Sequence, residues 1–200
     1  MAQQKRRAYE EWEYWGKPLP GFGDAAARLV VIGLAPAAHG GNRTGRIFTG
    51  DRSGDWLYAT LHRFGFANQR TSTHRDDGLR LTDAYVTAAA RCAPPDNKPT
   101  KAEFANCQPF LERELQLLTG ARVIVALGRI AFDAYLATRR ATGKPAPRPR
   151  PQFAHAAVYD LGDVTLIGSY HPSQRNTQTG FLTQPMFDRV FATARRIVTA

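Results

Sequence analysis

Cysteine is scarce in this chain: Cys92 and Cys107 are the only two among 200 residues. A secreted scaffold stapled by several disulfides is thereby excluded, and the pair suits either two thiols in a core or half of a metal site. Long apolar runs are missing too. No stretch approaches the ~20 consecutive apolar residues of a membrane span, and the start, Met1-Ala2-Gln3-Gln4-Lys5-Arg6-Arg7, lacks the apolar centre of a signal peptide. A soluble, cytoplasmic protein is the expectation. Internal repeats are absent. Acidic residues are outnumbered, 17 against 27 Lys and Arg, so the net charge is +10. That balance favours a polyanionic partner, although a scattered positive surface can also serve solubility alone.

What is present reads as one domain over residues 1–200, long enough to bury a core. Arg28-Leu29-Val30-Val31-Ile32-Gly33 and Arg122-Val123-Ile124-Val125-Ala126-Leu127-Gly128 are continuous apolar runs that end in glycine, the pattern of strands buried on both faces. Tyr85-Val86-Thr87-Ala88 and Val164-Thr165-Leu166-Ile167-Gly168-Ser169 are weaker strand candidates. Helical patterns alternate with them. Thr100-Lys101-Ala102-Glu103 after Pro99 reads as a capping box, followed by Phe104, Cys107, Leu111, Leu115 and Leu118 on one face. Three further amphipathic segments carry Leu57, Leu61 and Phe64; Ile130, Phe132 and Leu136; and Leu182, Met186, Phe187, Val190, Phe191, Ala194 and Ile197. The expected fold class is α/β, a three-layer α/β/α sandwich around a central, mainly parallel four-stranded sheet.

Two flanking stretches stand apart. Residues 1–27 carry Trp12, Tyr14 and Trp15, which predicts an aromatic arm packed on the body. Lys144-Pro145-Ala146-Pro147-Arg148-Pro149-Arg150-Pro151 predicts a surface loop within the domain.

Chemistry is expected in the loops at the carboxyl ends of the strands. After the first strand comes Gly33-Leu34-Ala35-Pro36-Ala37-Ala38-His39-Gly40-Gly41-Asn42-Arg43-Thr44-Gly45-Arg46-Ile47-Phe48-Thr49-Gly50-Asp51, rich in glycine and hydrogen-bonding groups. It matches neither a Walker A motif nor a Gly-x-Gly-x-x-Gly dinucleotide fingerprint. After the last strand comes Ser169-Tyr170-His171-Pro172-Ser173-Gln174-Arg175-Asn176-Thr177-Gln178-Thr179-Gly180, too polar to bury and stiffened by Pro172 directly after His171.

These two loops, together with Val86-Thr87-Ala88-Ala89-Ala90-Arg91-Cys92-Ala93-Pro94-Pro95-Asp96-Asn97-Lys98-Pro99 and Val125-Ala126-Leu127-Gly128, resemble the uracil-DNA glycosylase superfamily, most closely family 5, the type-B enzymes. The likeness runs from about Trp12 to the C-terminus. It implies a DNA-repair hydrolase that flips uracil out of DNA and cuts its N-glycosidic bond, leaving an abasic site. His171, matching the family's His-Pro-Ser histidine, would donate to the base O2, and Asp51 would orient the attacking water and balance the oxocarbenium-like sugar. From the residues alone, Asp51 could equally cap the following helix together with Ser53. Phe48 would stack on the flipped base; its plain alternative is a core position. Ala88 stands where related families hold a base-reading asparagine, which implies relaxed selectivity and activity on hypoxanthine. Asn97, Gly33 and Ala35 complete the implied base site, although Asn97 is equally a turn former.

On the DNA side, the resemblance implies contacts from His39, Asn42, Arg43, Arg46, Lys98, Ser173, Arg175 and Asn176, with Arg175 as the wedge entering the stack. Families 4 and 5 hold a [4Fe–4S] cluster by four thiolates, a close N-terminal pair plus a later pair spaced much like Cys92 and Cys107. The first pair is absent from this sequence, which reads as a chain starting downstream of the natural N-terminus or as a member without the cluster, the former being favoured; two thiolates alone would not hold it. The expected partner is damaged DNA, the expected state a monomer, and the expected place the nucleoid if the source is a prokaryote. Two readings compete: a non-catalytic nucleic-acid-binding module on the same fold, which retention of His171 and Asp51 disfavours, and a nucleotide hydrolase, disfavoured because carboxylates suited to magnesium do not cluster in the loops.

Overall fold

The structure of the protein, a computed structural model, describes residues 5–144 and 147–200, and at Asn97 the backbone but not the side chain. Met1–Gln4 of the arm and Pro145 and Ala146 of the proline-arginine stretch lie outside the described residues. Six strands form one sheet: β1 (Phe22–Gly23), β2 (Leu29–Gly33), β3 (Ala84–Ala88), β4 (Val123–Leu127), β5 (Val158–Asp160) and β6 (Thr165–Ser169). Their order is β1-β3-β2-β4-β6-β5. The four inner strands run parallel, and the two edge strands pair antiparallel. The four apolar runs thus supply the predicted parallel core. The sheet has six strands rather than four because β1 and β5, two and three residues long, are half-exposed edges without an apolar run to announce them.

Both sheet faces are covered, which is why the inner strands read as unbroken apolar runs. Side chains alternate: Leu29, Val31, Val123 and Val125 join one core, whereas Val30, Ile32, Ile124 and Ala126 join the other. Helices α2 (Arg52–Arg63) and α6 (Gln184–Thr199) supply Leu57, Leu61, Phe187, Val190 and Phe191 to the first. On the opposite face, α3 (Lys101–Leu117) and α4 (Arg129–Ala141) supply Leu111, Phe132 and Leu136. Each such large side chain contributes ~1.5–3 kcal/mol by leaving water. Ile130 turns outward instead, because its position on α4 lies off the stripe set by Phe132 and Leu136.

The capping box forms as its spacing requires. Thr100 Oγ1 accepts from the Glu103 N–H at 3.2 Å, and the Glu103 carboxylate accepts from the Thr100 N–H at 2.6 Å. Two short helices, α1 (Gly41–Thr44) and α5 (Gln174–Gln178), lie inside the two loops singled out above.

Strand register decides where those loops meet. Gly33 pairs with Ala88 and Leu127 with Ser169, so β2, β3, β4 and β6 end at one edge. The ladder extends past its strands, through Ala89 N–H to Gly33 O at 3.0 Å and Gly128 N–H to Ser169 O at 2.7 Å. Segments far apart in the chain therefore open onto one rim.

Candidate active site

Phe48 and His171, 123 positions apart in the sequence, face each other across that rim. Their ring centroids lie 5.8 Å apart at an interplanar angle of 29°. Phe48 holds a left-handed backbone, φ 52°, in which a bulky residue is strained. Three features hold it there. Tyr58, fully buried on α2, donates its hydroxyl to Ile47 O at 2.8 Å. Gly33 leaves room beneath the ring, since a β-carbon there would sit 2.6 Å from two ring atoms. Gly54 leaves room for the Phe48 carbonyl, which a β-carbon would meet at 1.7 Å. Phe48 is itself 7% exposed and belongs to the core, the plain alternative set out for it above.

Asp51 ends the glycine-rich loop and caps α2, accepting the Gly54 N–H at 3.0 Å. Gly40 makes its seat, because a β-carbon there would lie 2.1 Å from Asp51 Oδ2. Desolvation raises the pKa of this carboxyl, opposed by N–H donors of Gly54 and Ser53. The helix-capping role is thus real. His171 is partly buried, and loss of water alone lowers its pKa to about 4. At neutral pH the ring is uncharged and carries a single N–H. Its backbone is steadied by Asn176, whose Nδ2 donates to His171 O at 2.9 Å, and Asn176 N–H in turn donates to the hydroxyl of Ser173, the cap of α5.

The other expected residues divide into two groups. Ala35, Ala88 and Gly33 lie at the same rim, with Ala88 at 3% exposure. Lys98 and Arg175 are exposed, and Ser173 and Asn176 brace the histidine turn. The expectation for the Asn97 side chain lies outside the described residues.

Arg43 and Arg46, by contrast, turn inward. The guanidinium of Arg43 is held between the rings of Tyr9 and Trp12, 4.1 Å from each centroid. It donates to His39 O at 2.7 Å and Gly50 O at 3.1 Å. Arg46, 3% exposed, donates to Thr49 Oγ1 and Ser72 Oγ and pairs with Asp77 at 2.7 Å. That pairing, with three N–H donors, keeps the Asp77 carboxyl far below its ordinary range against the desolvation of its site. Asn42 is buried, with its amide on Ala38 O, and His39 Nδ1 shares a hydrogen bond with the Tyr14 hydroxyl at 2.9 Å. Asn42, Arg43 and Arg46 are thus engaged within the loop and the arm, and the buried guanidinium groups are not placed at the surface for the phosphate contacts expected of them, whereas His39 is only half-buried. Composition could not reveal this, because an arginine that holds a loop and one that holds a phosphate look alike in sequence.

The two segments thus converge at Phe48 and His171. A hollow of about 250 Å³ lies elsewhere, between α3 and α4, lined by groups such as Phe104, Leu111 and Asp133.

Cys92 is exposed and Cys107 partly buried. The Cys92 thiol is pushed up, first by desolvation and then by Cys107 and Glu103, and Arg91 N–H donates to Cys107 Sγ at 3.4 Å, which sets Cys107 against the segment that carries Cys92. A four-thiolate cluster nevertheless needs two more donors, and among the described residues no group of three or more His, Cys, Asp or Glu gathers anywhere. The residues present do not fit the cluster by themselves.

A parallel α/β sheet whose strand ends bring a neutral histidine against a strained aromatic defines an α/β protein with its site at the carboxyl edge of the sheet. Comparison with known proteins makes the placement specific. The family model for the uracil DNA glycosylase superfamily matches residues 20–195. Type-5 uracil-DNA glycosylases of Mycobacterium bovis and Thermus thermophilus are each 50% identical, over 98% and 96% of this chain and 73% and 86% of their own lengths. A type-4 enzyme of Archaeoglobus fulgidus is 33% identical over 78% of this chain and 70% of its own. A solution structure from Methanosarcina acetivorans shares the fold with a TM-score of 0.52 at 13% identity, covering 92% of this chain and 99% of that one. The chain belongs to the uracil-DNA glycosylase superfamily, on its type-5 branch.

Proposed function

We propose that this protein excises uracil from DNA by hydrolysing the N-glycosidic bond, as the first step of base-excision repair. The observation that carries the reading is the stacking of Phe48 on a neutral His171 across the strand ends, with the desolvated Asp51 closing the loop that bears Phe48. Bond cleavage leaves positive charge on deoxyribose and negative charge on the departing base. The N–H of uncharged His171 donates to the base O2 as that charge grows, a preorganised interaction worth ~3–4 kcal/mol of barrier. Asp51 as carboxylate faces the developing cation and takes the proton of the attacking water; the hydroxyl bonds to the sugar carbon and the proton passes on to the expelled base. Burial raises the basicity of Asp51, which suits that task. Phe48 offers a π-face to the base, and such stacking contributes ~1–3 kcal/mol.

Ala88 presents a methyl group where an amide reader would discriminate, so the selectivity of the site is relaxed and hypoxanthine is a second substrate. Phosphates are met by exposed groups such as Lys98, and Arg175 is the wedge that enters the stack. The reading takes the chain as one domain with its arm docked, acting as a monomer on nucleoid DNA, and leaves the iron-sulfur cluster to chains that carry all four thiolates.

Incubation with uracil-containing oligonucleotide, followed by cleavage of abasic sites, tests the proposal. Strand scission dependent on His171 is the expected result. Binding without scission would replace it with the non-catalytic module, and uracil release with no detectable hypoxanthine release would remove the relaxed-selectivity part.

A further inference from the structure

Beside the site stands a column of rings that the chemistry above does not use. Tyr170, between Ser169 at the end of β6 and His171, has its ring stacked on His155 at 4.8 Å and 26°. On it lies Phe181, at 4.3 Å and 27°. Phe181 ends the column and is 54% exposed. The other exposed large apolar side chains lie on α3, α4 and β5, away from the histidine turn.

An exposed phenylalanine on a loose loop would mean little, but this one is anchored. Its neighbour Leu182 is fully buried and donates its N–H to Asn176 O at 2.9 Å, and Asn176 is the residue whose side chain grips His171 O. His155 accepts the Tyr170 N–H at Nδ1, 3.1 Å away, which fixes the inner end. The platform and the catalytic turn are therefore one rigid unit. Cations lie close by: Arg175 is exposed on α5, six residues before Phe181, and Arg189 of α6 is close enough to His155 for its charge to disfavour protonation of that ring. An outward π-face held rigid among cations has the attributes of a surface for single-stranded nucleic acid, where bases stack on aromatics and backbone follows positive charge.

We infer that Phe181 is a stacking platform for an unpaired nucleobase of the DNA strand next to the extruded nucleotide. The inference deepens the proposed function and rests on it for the position of the DNA. Duplex opening at the target exposes such bases, and a rigid ring joined to the His171 turn would hold one while the target base is engaged. Its occupant is a base, since a phosphate would ignore the ring and an apolar peptide would gain nothing from the surrounding arginines.

Binding of uracil-free oligonucleotides, single-stranded and fully paired, by wild type, F181A, F181L and F181W tests it apart from catalysis. Stacking of one base predicts that F181A weakens single-strand binding about five- to hundredfold, that F181L fails in the same way, that F181W binds at least as well as wild type, and that paired duplex binding changes less than about twofold. With uracil substrates, KM in F181A rises by a similar factor and kcat stays near wild type. Equal binding by F181A and wild type would overturn the inference, as would F181L binding like wild type, which would make the ring mere apolar cover. If wild type releases no uracil yet these single-strand differences persist, the excision reading fails and the platform stands. An unchanged melting temperature of the variants confirms that folding is not the cause.

Discussion

His171 must stay neutral and Asp51 must be ionised for the chemistry to run; burial favours the first and opposes the second, since it raises the pKa of the carboxyl. Burial keeps His171 neutral down to about pH 4, so no activity limb is expected near pH 6.5, the ordinary histidine value. Asp51 acts as carboxylate, and its raised pKa places the acid limb of kcat/KM above the ordinary carboxylate range. A pH profile of wild type against D51N checks this: the limb belongs to wild type, and the residual activity of D51N lacks it. H171A should lose about 10²- to 10³-fold in kcat, the usual cost of one preorganised donor. Stability follows the same groups in opposite directions. Between pH 6.5 and about 4 the unfolded chain takes up a proton that folded His171 refuses, so acid destabilises the fold there. Asp51 does the reverse, because above its ordinary value of 3.8 the unfolded carboxyl loses a proton that the folded one retains.

Glycines matter at this scale through the atoms they admit. G33A would drive a methyl group to 2.6 Å from the Phe48 ring, and G40A would drive one to 2.1 Å from Asp51 Oδ2. Both move a side chain of the site rather than core backbone, so we expect at least about tenfold loss in kcat/KM, the fall that a misplacement of about 1 Å readily causes, with a smaller effect on melting. Steady-state kinetics beside thermal unfolding separates the two.

Among the elements, the arm and the glycine-rich loop are one construction. Tyr9 and Trp12 clasp Arg43, which holds the carbonyls of His39 and Gly50 on either side of α1, and Gly50 precedes Asp51. A desolvated cation–π contact is worth up to ~2 kcal/mol. W12A should therefore lower the melting temperature by several degrees, at ~2–4 °C per kcal/mol for a chain of this size, and should reduce kcat by loosening the approach to Asp51. Calorimetry and kinetics on W12A and Y9A check this; unchanged values for both would mean that the arm merely covers the loop.

For the molecule as a whole, the net charge of +10 gives attraction for DNA without choosing a base. Affinity should fall linearly in log–log terms as salt rises, and K98A should reduce the slope by about one unit. R43K should leave the slope unchanged while lowering stability, since that guanidinium already serves Tyr9, Trp12 and Gly50. Salt titrations of binding distinguish a cation that meets phosphate from one that builds the loop.

The amino-acid sequence alone determined the four buried strands, the capped helix from Lys101 and the two polar loops that hold Asp51 and His171, because continuous apolar runs, cap spacing and loop composition are local patterns. It left open what Asp51, Phe48 and the arginines do in space. Tertiary structure decided that Asp51 caps a helix inside a seat made by Gly40, that Phe48 strains its backbone to meet His171, and that Arg43 and Arg46 face inward. The edge strands β1 and β5 were settled at the same level, being too short to carry a periodic signal. The physical reason is common to all of these: burial, pKa and the choice of hydrogen-bond partner depend on neighbours brought together by register, and register joins residues that the chain keeps far apart.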